Sequence, residues 1–520
     1  MRSFIQGRMS KVIGMISGWD RLRFRGTVRM LASVAGLMRF LSYTGRLLKD
    51  FGAHAEAMSR QTRAESLAVA EGAGRPVVHL SNPGVCKEDV AREIQARERV
   101  KEGLICVLTA VEPCWSFNIK SRQGEDGKRK LELVRAYRKC QHLYHYYQHP
   151  VFGFMHVRLQ TWLPFNQFVC VNGREWLGRQ MDAAGIKYVR RENCYAWVSD
   201  VEGAQELLNQ QVKFNWEQGL GALAEQVNPA FAALRGNAAM GYYWSLDESE
   251  WASDIMFKDQ AELSQLYGGL IRHAMMSLGS SDVLRFLGHK VRADGRAYGN
   301  FRGEVASDLK ERPEGIRIKH RLGSNALKMY NKQGTVLRVE TTLNDMRELK
   351  SPRMVEGKVV WRPMRKGVAD IARRAEVSQA ANERYLQAMA AAENPMPLKT
   401  LTAALARPVV RDGQRARGLN LLGEADARLL AAVGNGKFLL HGFRNKDLRE
   451  MLFAAPADSP REKLRRSGQI TRQIRLLRLH GLIRKVSGTH RYLVTDAGRQ
   501  VITALQAARE ADVTKLAKAA

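Results

Sequence analysis

Apolar and polar positions along this chain follow two different periods, and the switches between them divide it. Over residues 1–135 the apolar side chains recur mainly at helical spacing. The exceptions are a Gly/Pro-punctuated stretch at 72–84 and the strand-like run Leu104-Ile105-Cys106-Val107-Leu108. A charged stretch at 121–130 reads as a loop joining two strands. From about residue 151 the period shortens: strands are expected at 152–162, 167–171, 187–191 and 194–198, with helices at 173–184 and 201–211. Residues 212–280 return to a helical pattern. A second β region spans 303–344, where 315–320, 327–330 and 336–342 alternate and Gln333-Gly334 stands where a hairpin turn is needed. These strands are expected to join the sheet begun at 152, with the intervening helices on one face. Residues 360–405 are helical in pattern, and Asn394-Pro395-Met396-Pro397 with 407–419 read as a linker. No internal repeat and no low-complexity tract occurs.

The last eighty or so residues carry the densest signal. Ser459-Pro460-Arg461-Glu462 is a capping-box start, with a hydroxyl for orphan N–H groups, Pro at N1 and Glu at N3. Ile470, Ile474 and Leu477 follow at i, i+4, i+7 as one apolar stripe, while Arg472, Arg475 and Arg478 line another face. Gly481 stops the helix, 482–486 and 491–494 are strand-like, and a final helix starts near Thr495-Asp496. From Arg461 to Val494 there are ten Lys/Arg and one acid, Glu462. The run Leu477…Leu479-His480-Gly481-Leu482-Ile483…Arg491-Tyr492…Val494-Thr495…Gly498-Arg499 resembles the winged helix-turn-helix regulators over residues 426–505. That resemblance implies that Arg472, Arg475 and Arg478 enter the major groove of DNA, and that the turn bearing Lys485, His490 and Arg491 reaches an adjacent groove or phosphates. The expected architecture is therefore a multidomain α+β chain. It comprises a mainly helical basic region (1–135), a central body with a mixed or antiparallel sheet and flanking helices (136–350), a helical connector and linker (351–420), and a winged-helix domain (421–520).

Composition sharpens the partner more than the fold. At 520 residues the chain exceeds one ordinary core, and 45% hydrophobic with 26% charged residues is globular. The outlier is charge: 83 Lys+Arg against 52 Asp+Glu give +31. Such an excess suits nucleic acid, because each phosphate contact releases condensed counterions; a generally basic proteome or a membrane surface are the alternatives. Cys86, Cys106, Cys114, Cys140, Cys170 and Cys194 form no CxxC pair, which fits reduced cytosolic thiols. No apolar run approaches a bilayer span, and the run at 30–38 is interrupted by Arg39 without a cleavage signature, so no membrane partner is expected. The expected location is cytoplasmic, nucleoid-associated if DNA is bound.

Several constellations could carry chemistry. His142, His145 and His149 would share a face of a helix ending before Pro150, with His156 and Cys140 nearby, as a metal set or as an aromatic/His face that stacks on bases or fills a core. Strand alternation puts Lys328, Tyr330 and Lys332 on one face, and Arg338 and Glu340 together on the next strand. This element is similar to a strand–turn–strand unit of rolling-circle replication initiators of plasmids and filamentous phages, in which a Tyr-Asp-Lys strand precedes an Arg-x-Glu strand. Asn331 stands here at the Asp position, and His156-Val157-Arg158 does not supply the paired-His strand. The resemblance implies Tyr330 and Glu340 as catalytic groups of a strand-nicking enzyme using Mg2+ or Mn2+. The residues alone favour a cross-strand ladder or phosphate positioning by Lys328, Lys332 and Arg338. Glu250 and Asp254, at i, i+4 beside Trp251, would point one way on a helix and could hold the metal with Glu304, Asp308 and Glu340, or could neutralise arginines inside the protein. Arg21, Arg23 and Arg25 alternate with Leu22 and Phe24, an extended phosphate clamp or a guarded β-edge. No Walker A loop, dinucleotide fingerprint or GxSxG elbow occurs.

The leading expectation is a nucleic-acid-binding protein of a mobile or replicating element, docking DNA through its C-terminus, with a basic body that contacts and could nick the bound strand. The alternatives are a non-catalytic structured-RNA or ribonucleoprotein binder and a ligand-sensing transcription regulator.

Overall fold

Two of the longest strands arise where helical spacing had been expected, and they organise the N-terminal half. The computed structural model describes residues 2–82, 84–123, 129–235, 240–289, 291, 303–312, 315–390, 398–411, 413–421, 423–435, 438, 442–453 and 455–510. Asn394–Pro397 of the expected linker and 511–520 of the C-terminal region lie outside these. In chain order the principal strands are β1 (Val12–Val28), β2 (Val77–His79), β3 (Gly103–Gln123), β4 (Arg129–His149), β5 (Gly153–Gln160), β6 (Gln167–Asn172), β7 (Tyr188–Arg191), β8 (Cys194–Val198), β9 (Tyr242–Phe257), β10 (Val305–Arg312), β11 (Gly315–Leu322), β12 (Asn325–Lys332) and β13 (Val336–Thr342). The chain is α+β, with a large mixed sheet and flanking helices. It forms two compact units: 15–253 with 342–376, and 1–14 with 254–341 and 377–520.

In the unit built on 15–253, strand neighbours run β9-β1-β6-β5-β4-β3-β2. All the registered pairs are antiparallel except β2 with β3, which is parallel and makes the sheet mixed. Helices cover both faces. On β4, Tyr144 and Tyr146 join a core with Ala91 and Ile94 of helix Lys87–Glu98, while His145, one residue out of phase, meets Ser66 of helix Phe51–Gly72 at 3.3 Å. This corrects the expected helix ending before Pro150. A strand buried on both faces loses polar alternation, and its continuous run of Tyr and His then mimics a helix by spacing alone. The same cause operates at β9, read as helical from 212–280, where residues 251–257 are all buried. The region 1–135 is likewise not mainly helical, since β1, β3 and the start of β4 lie within it. Helix Gly173–Ala184 begins hard against β1: a Cβ on Gly173 would sit 1.7 Å from the Trp19 carbonyl oxygen, so the close approach requires glycine.

In the other unit the order is β10-β11-β12-β13-β9. The β12–β13 hairpin turns where expected, with Gln333 and Gly334 at φ 54° and 79°. Ile318, Leu322, Leu327, Met329, Leu337 and Val339 are buried on one face. Asn382 of helix Ile371–Met389 locks that face, donating to the Val339 carbonyl at 3.0 Å and bonded to the Thr341 hydroxyl at 2.7 Å.

The C-terminal part of this unit consists of helices Glu424–Val433, Asn445–Leu452 and Pro460–Leu479, the hairpin Ile483–Lys485/Tyr492–Val494, and helix Asp496–Glu510. Phe443 bridges Tyr492 and adds a third short edge to the hairpin. Ser459 caps the long helix through the Glu462 N–H at 3.2 Å, while the Glu462 carboxylate accepts from the Asp458 N–H at 3.0 Å, one residue before the cap that a capping box would use. Ile470, Ile474 and Leu477 point into a core with Leu429, Phe443 and Leu448. Burying each such side chain contributes roughly 1.5–3 kcal/mol. Gly481, at φ 73°, then turns the chain into the hairpin.

Candidate nucleic-acid interface

Because the stripe Ile470, Ile474 and Leu477 must face the core, the helical repeat turns Arg472, Arg475 and Arg478 outward, and all three are exposed. Among the described residues none of them meets a carboxylate. Their helix neighbours differ: Arg466 is held by Glu462 at 2.7 Å, and Arg465 reaches the same carboxylate at 3.5 Å. Arg475 and Arg478 line an open cleft of about 330 Å³ with Gln414, Thr471, Ile474 and Tyr492. The hairpin presents Arg484, Lys485 and His490 exposed, and Arg491 half-buried. A second small hairpin, Val409–Arg411 with Gln414–Ala416, adds Arg411 and Arg415. Its cations were missed in the sequence because the stretch reads as linker.

The β10–β13 ladder has a second basic surface opposite its apolar face. Registers Asp308↔Lys319 and Lys319↔Lys328 align Lys310, Arg317, Lys319, Arg321, Lys328, Tyr330 and Lys332 on that side. Asp308 is the carboxylate nearest Arg317 and Arg321, at 3.8 and 3.2 Å. Burial, with Lys328, Arg317 and Arg321 crowding in, pushes the Lys319 ammonium below its ordinary range. Alternation of cations along β11 was legible as Arg317-x-Lys319-x-Arg321, but only its strand period had been read. Within this face the Glu340 carboxylate is engaged twice: Lys328 Nζ ion-pairs with Oε1, and the Tyr330 hydroxyl donates to Oε2 at 2.9 Å. Of the hairpin residues, Lys328, Tyr330 and Glu340 meet. Lys332 lies further along the same strand face, half-buried.

Arg338 is placed differently from the expectation of a surface contact. It is buried, and its guanidinium grips Asp254 by two bonds, Nε to Oδ1 at 2.6 Å and Nη2 to Oδ2 at 2.8 Å. Both Asp254 oxygens are thus taken by a cation. Glu250 shares that strand rather than a helix, and faces Arg21 Nε at 3.6 Å. Each carboxylate of the expected pair thus faces an arginine.

Arg21, Arg23 and Arg25 do lie on an extended strand, on one face of β1. Each meets an acid of β9: Arg21–Glu250, Arg23–Glu248 at 3.0 Å and Arg25–Asp247 at 3.1 Å. They form a cross-strand ladder whose charge is already compensated. No family model, curated protein or solved structure matches this chain.

Proposed function

We propose that this protein binds nucleic acid, and that its C-terminal segment is a winged helix that docks duplex DNA. The observation that carries the reading is the uncompensated trio Arg472, Arg475 and Arg478 on the outer face of helix Pro460–Leu479, beside a cleft and a basic hairpin. Three helices followed by a two-stranded hairpin is the order in which such modules present a recognition helix and a wing. In that role the arginines reach base edges and phosphates of the major groove, while Lys485, His490 and Arg491 contact the flanking backbone. The basic side of β10–β13 serves as a second phosphate-binding surface: Lys319 and its neighbours repel one another, and an anion relieves that repulsion.

Strand nicking is a second reading, favoured by one contact. The Tyr330 hydroxyl donates to Glu340, which places a carboxylate where it could accept the phenolic proton of a nucleophile. The companion Lys328 also suits a purely structural ladder.

Anisotropy with labelled duplex DNA, single-stranded DNA and structured RNA tests the binding reading. Salt-steep binding of duplex is expected, and preference for structured RNA with no duplex binding overturns the DNA assignment. Supercoiled plasmid with Mg2+ or Mn2+ tests the second reading. Nicked product lost in Tyr330→Phe supports it, and no product with either metal refutes it.

A further inference from the structure

Beyond the ion-paired core of the sheet, β3 and β4 continue as a two-stranded arm. β2 pairs with β3 only at Val107–Thr109, and β5 pairs with β4 only from His142 onward. In this arm Trp115 lies directly opposite Tyr137, and the two rings touch edge to face at 5.1 Å between centroids. Both are more than half exposed, at 55% and 60%. An exposed, contacting pair of large aromatic rings on a strand face offers two π surfaces to a partner.

The chemistry around the pair selects the partner. Residues two apart on a strand share a face, so Lys139 and Arg135 flank Tyr137 on its own side, about 7 Å away along the strand. Both cations are exposed, and the Arg135 guanidinium reaches over the Trp115 ring at 5.2 Å. Among the described residues the arm's acids, Glu112 and Glu132, pair with Cys140 and Lys120 and so belong to the opposite face. Glu112 is moreover held by Lys87, Arg158 and Tyr144. The aromatic face therefore combines two π surfaces with cations and, among the arm's described residues, no carboxylate.

Resting on the nucleic-acid reading above, we infer that the β3–β4 arm is a stacking platform for unpaired nucleotides of a single strand. Two bases stack on Trp115 and Tyr137, while Arg135 and Lys139 take the intervening phosphates. Sequence-tolerant single-strand sites are built in this way, since every base has a π face. An apolar protein partner would not require the cations, and a duplex would not offer free base faces.

The full-length chain tests this with a labelled poly-pyrimidine single strand and a labelled duplex. Trp115→Ala with Tyr137→Ala is expected to weaken single-strand binding by roughly 30-fold or more, while Trp115→Phe keeps most of it. Duplex affinity and melting temperature are expected to stay unchanged. Ultraviolet cross-linking of a 5-iodouridine strand to the unaltered protein should attach it to the peptides holding Trp115 and Tyr137, a readout that no folding defect can mimic. Unchanged single-strand affinity in the double variant, cross-links confined to other peptides, or no single-strand binding by the unaltered protein overturns the platform. Duplex binding retained in any of those cases leaves the C-terminal reading standing. Loss of duplex binding in the unaltered protein refutes that reading separately.

Discussion

Removing Arg475 and Arg478 together should change the salt dependence of duplex binding by an amount that follows from their surroundings. Both are exposed, both line the open cleft, and neither meets a carboxylate among the described residues. Each guanidinium that neutralises a phosphate contributes about 0.9 to the slope of log affinity against log salt. Raising salt fourfold, from 50 to 200 mM, then weakens binding by about 3.5-fold per contact and roughly 12-fold for two. The double alanine variant should therefore bind much less tightly than the parent at 50 mM, with the gap narrowing by about 12-fold at 200 mM. Its slope should be shallower by about 1.8. Exposed substitutions of this kind change stability by about 0.5 kcal/mol or less, so melting should hardly move. Arg466→Ala is the internal contrast. Its charge is already met by Glu462 at 2.7 Å and its Nη1 donates to the Ala455 carbonyl at 2.6 Å, so the slope should stay and stability should fall by about 1 kcal/mol. Fluorescence anisotropy over a salt series measures all three proteins. Parallel slopes for the parent and the double variant would mean that the helix face touches no phosphate, and the DNA-docking role would fall.

The buried pair should be the most sensitive point of the sheet. Asp254→Ala removes the carboxylate that the Arg338 guanidinium grips with two bonds and should cost about 3–5 kcal/mol in urea unfolding, while Asp254→Leu with Arg338→Met should recover much of it; additive losses would contradict the pairing. Gly173→Ala forces a Cβ onto the Trp19 carbonyl oxygen and should lower stability by about 3 kcal/mol, with a normal melting curve as the contrary result. Burial lowers His145 to about 4, with the Ser66 carbonyl opposing it. Because the unfolded chain binds that proton more readily, stability is full above about pH 6.5 and drains as pH falls toward 4, by roughly 3 kcal/mol. His145→Gln should flatten that acid limb; an unchanged limb would place its cause in other groups.

The most legible parts of the sequence were those where one face of an element is more open than the other. Helix Pro460–Leu479 and strands β6, β7 and β11 alternate between more and less buried positions, and each lies where its period put it. β4 and β9 were not legible, since residues 142–147 and 251–257 are buried without a break and so show no alternation of open and covered faces. The site followed the same division. Lys328, Tyr330 and Glu340 could be brought together from two adjacent strands and one turn. The partners of Arg21, Arg23 and Arg25 lie more than two hundred residues away on β9, beyond the reach of any local spacing.

That division also separates the positive charge by use. The arginines of β1 are matched one for one by carboxylates of β9, and Arg338 is matched even inside the core. An arginine so matched gives up an existing partner when it meets phosphate, and the exchange gains little. The long helix, the Lys319 cluster and the β3–β4 arm keep cations on faces where acids are sparse or turned away. There a phosphate replaces only water and counterions, whose release drives association. The net charge of +31 is thus a poor guide to where nucleic acid sits. The deciding quantity is charge left uncompensated by its own neighbours, and it concentrates on a helix suited to a duplex groove and on an aromatic arm suited to an unpaired strand.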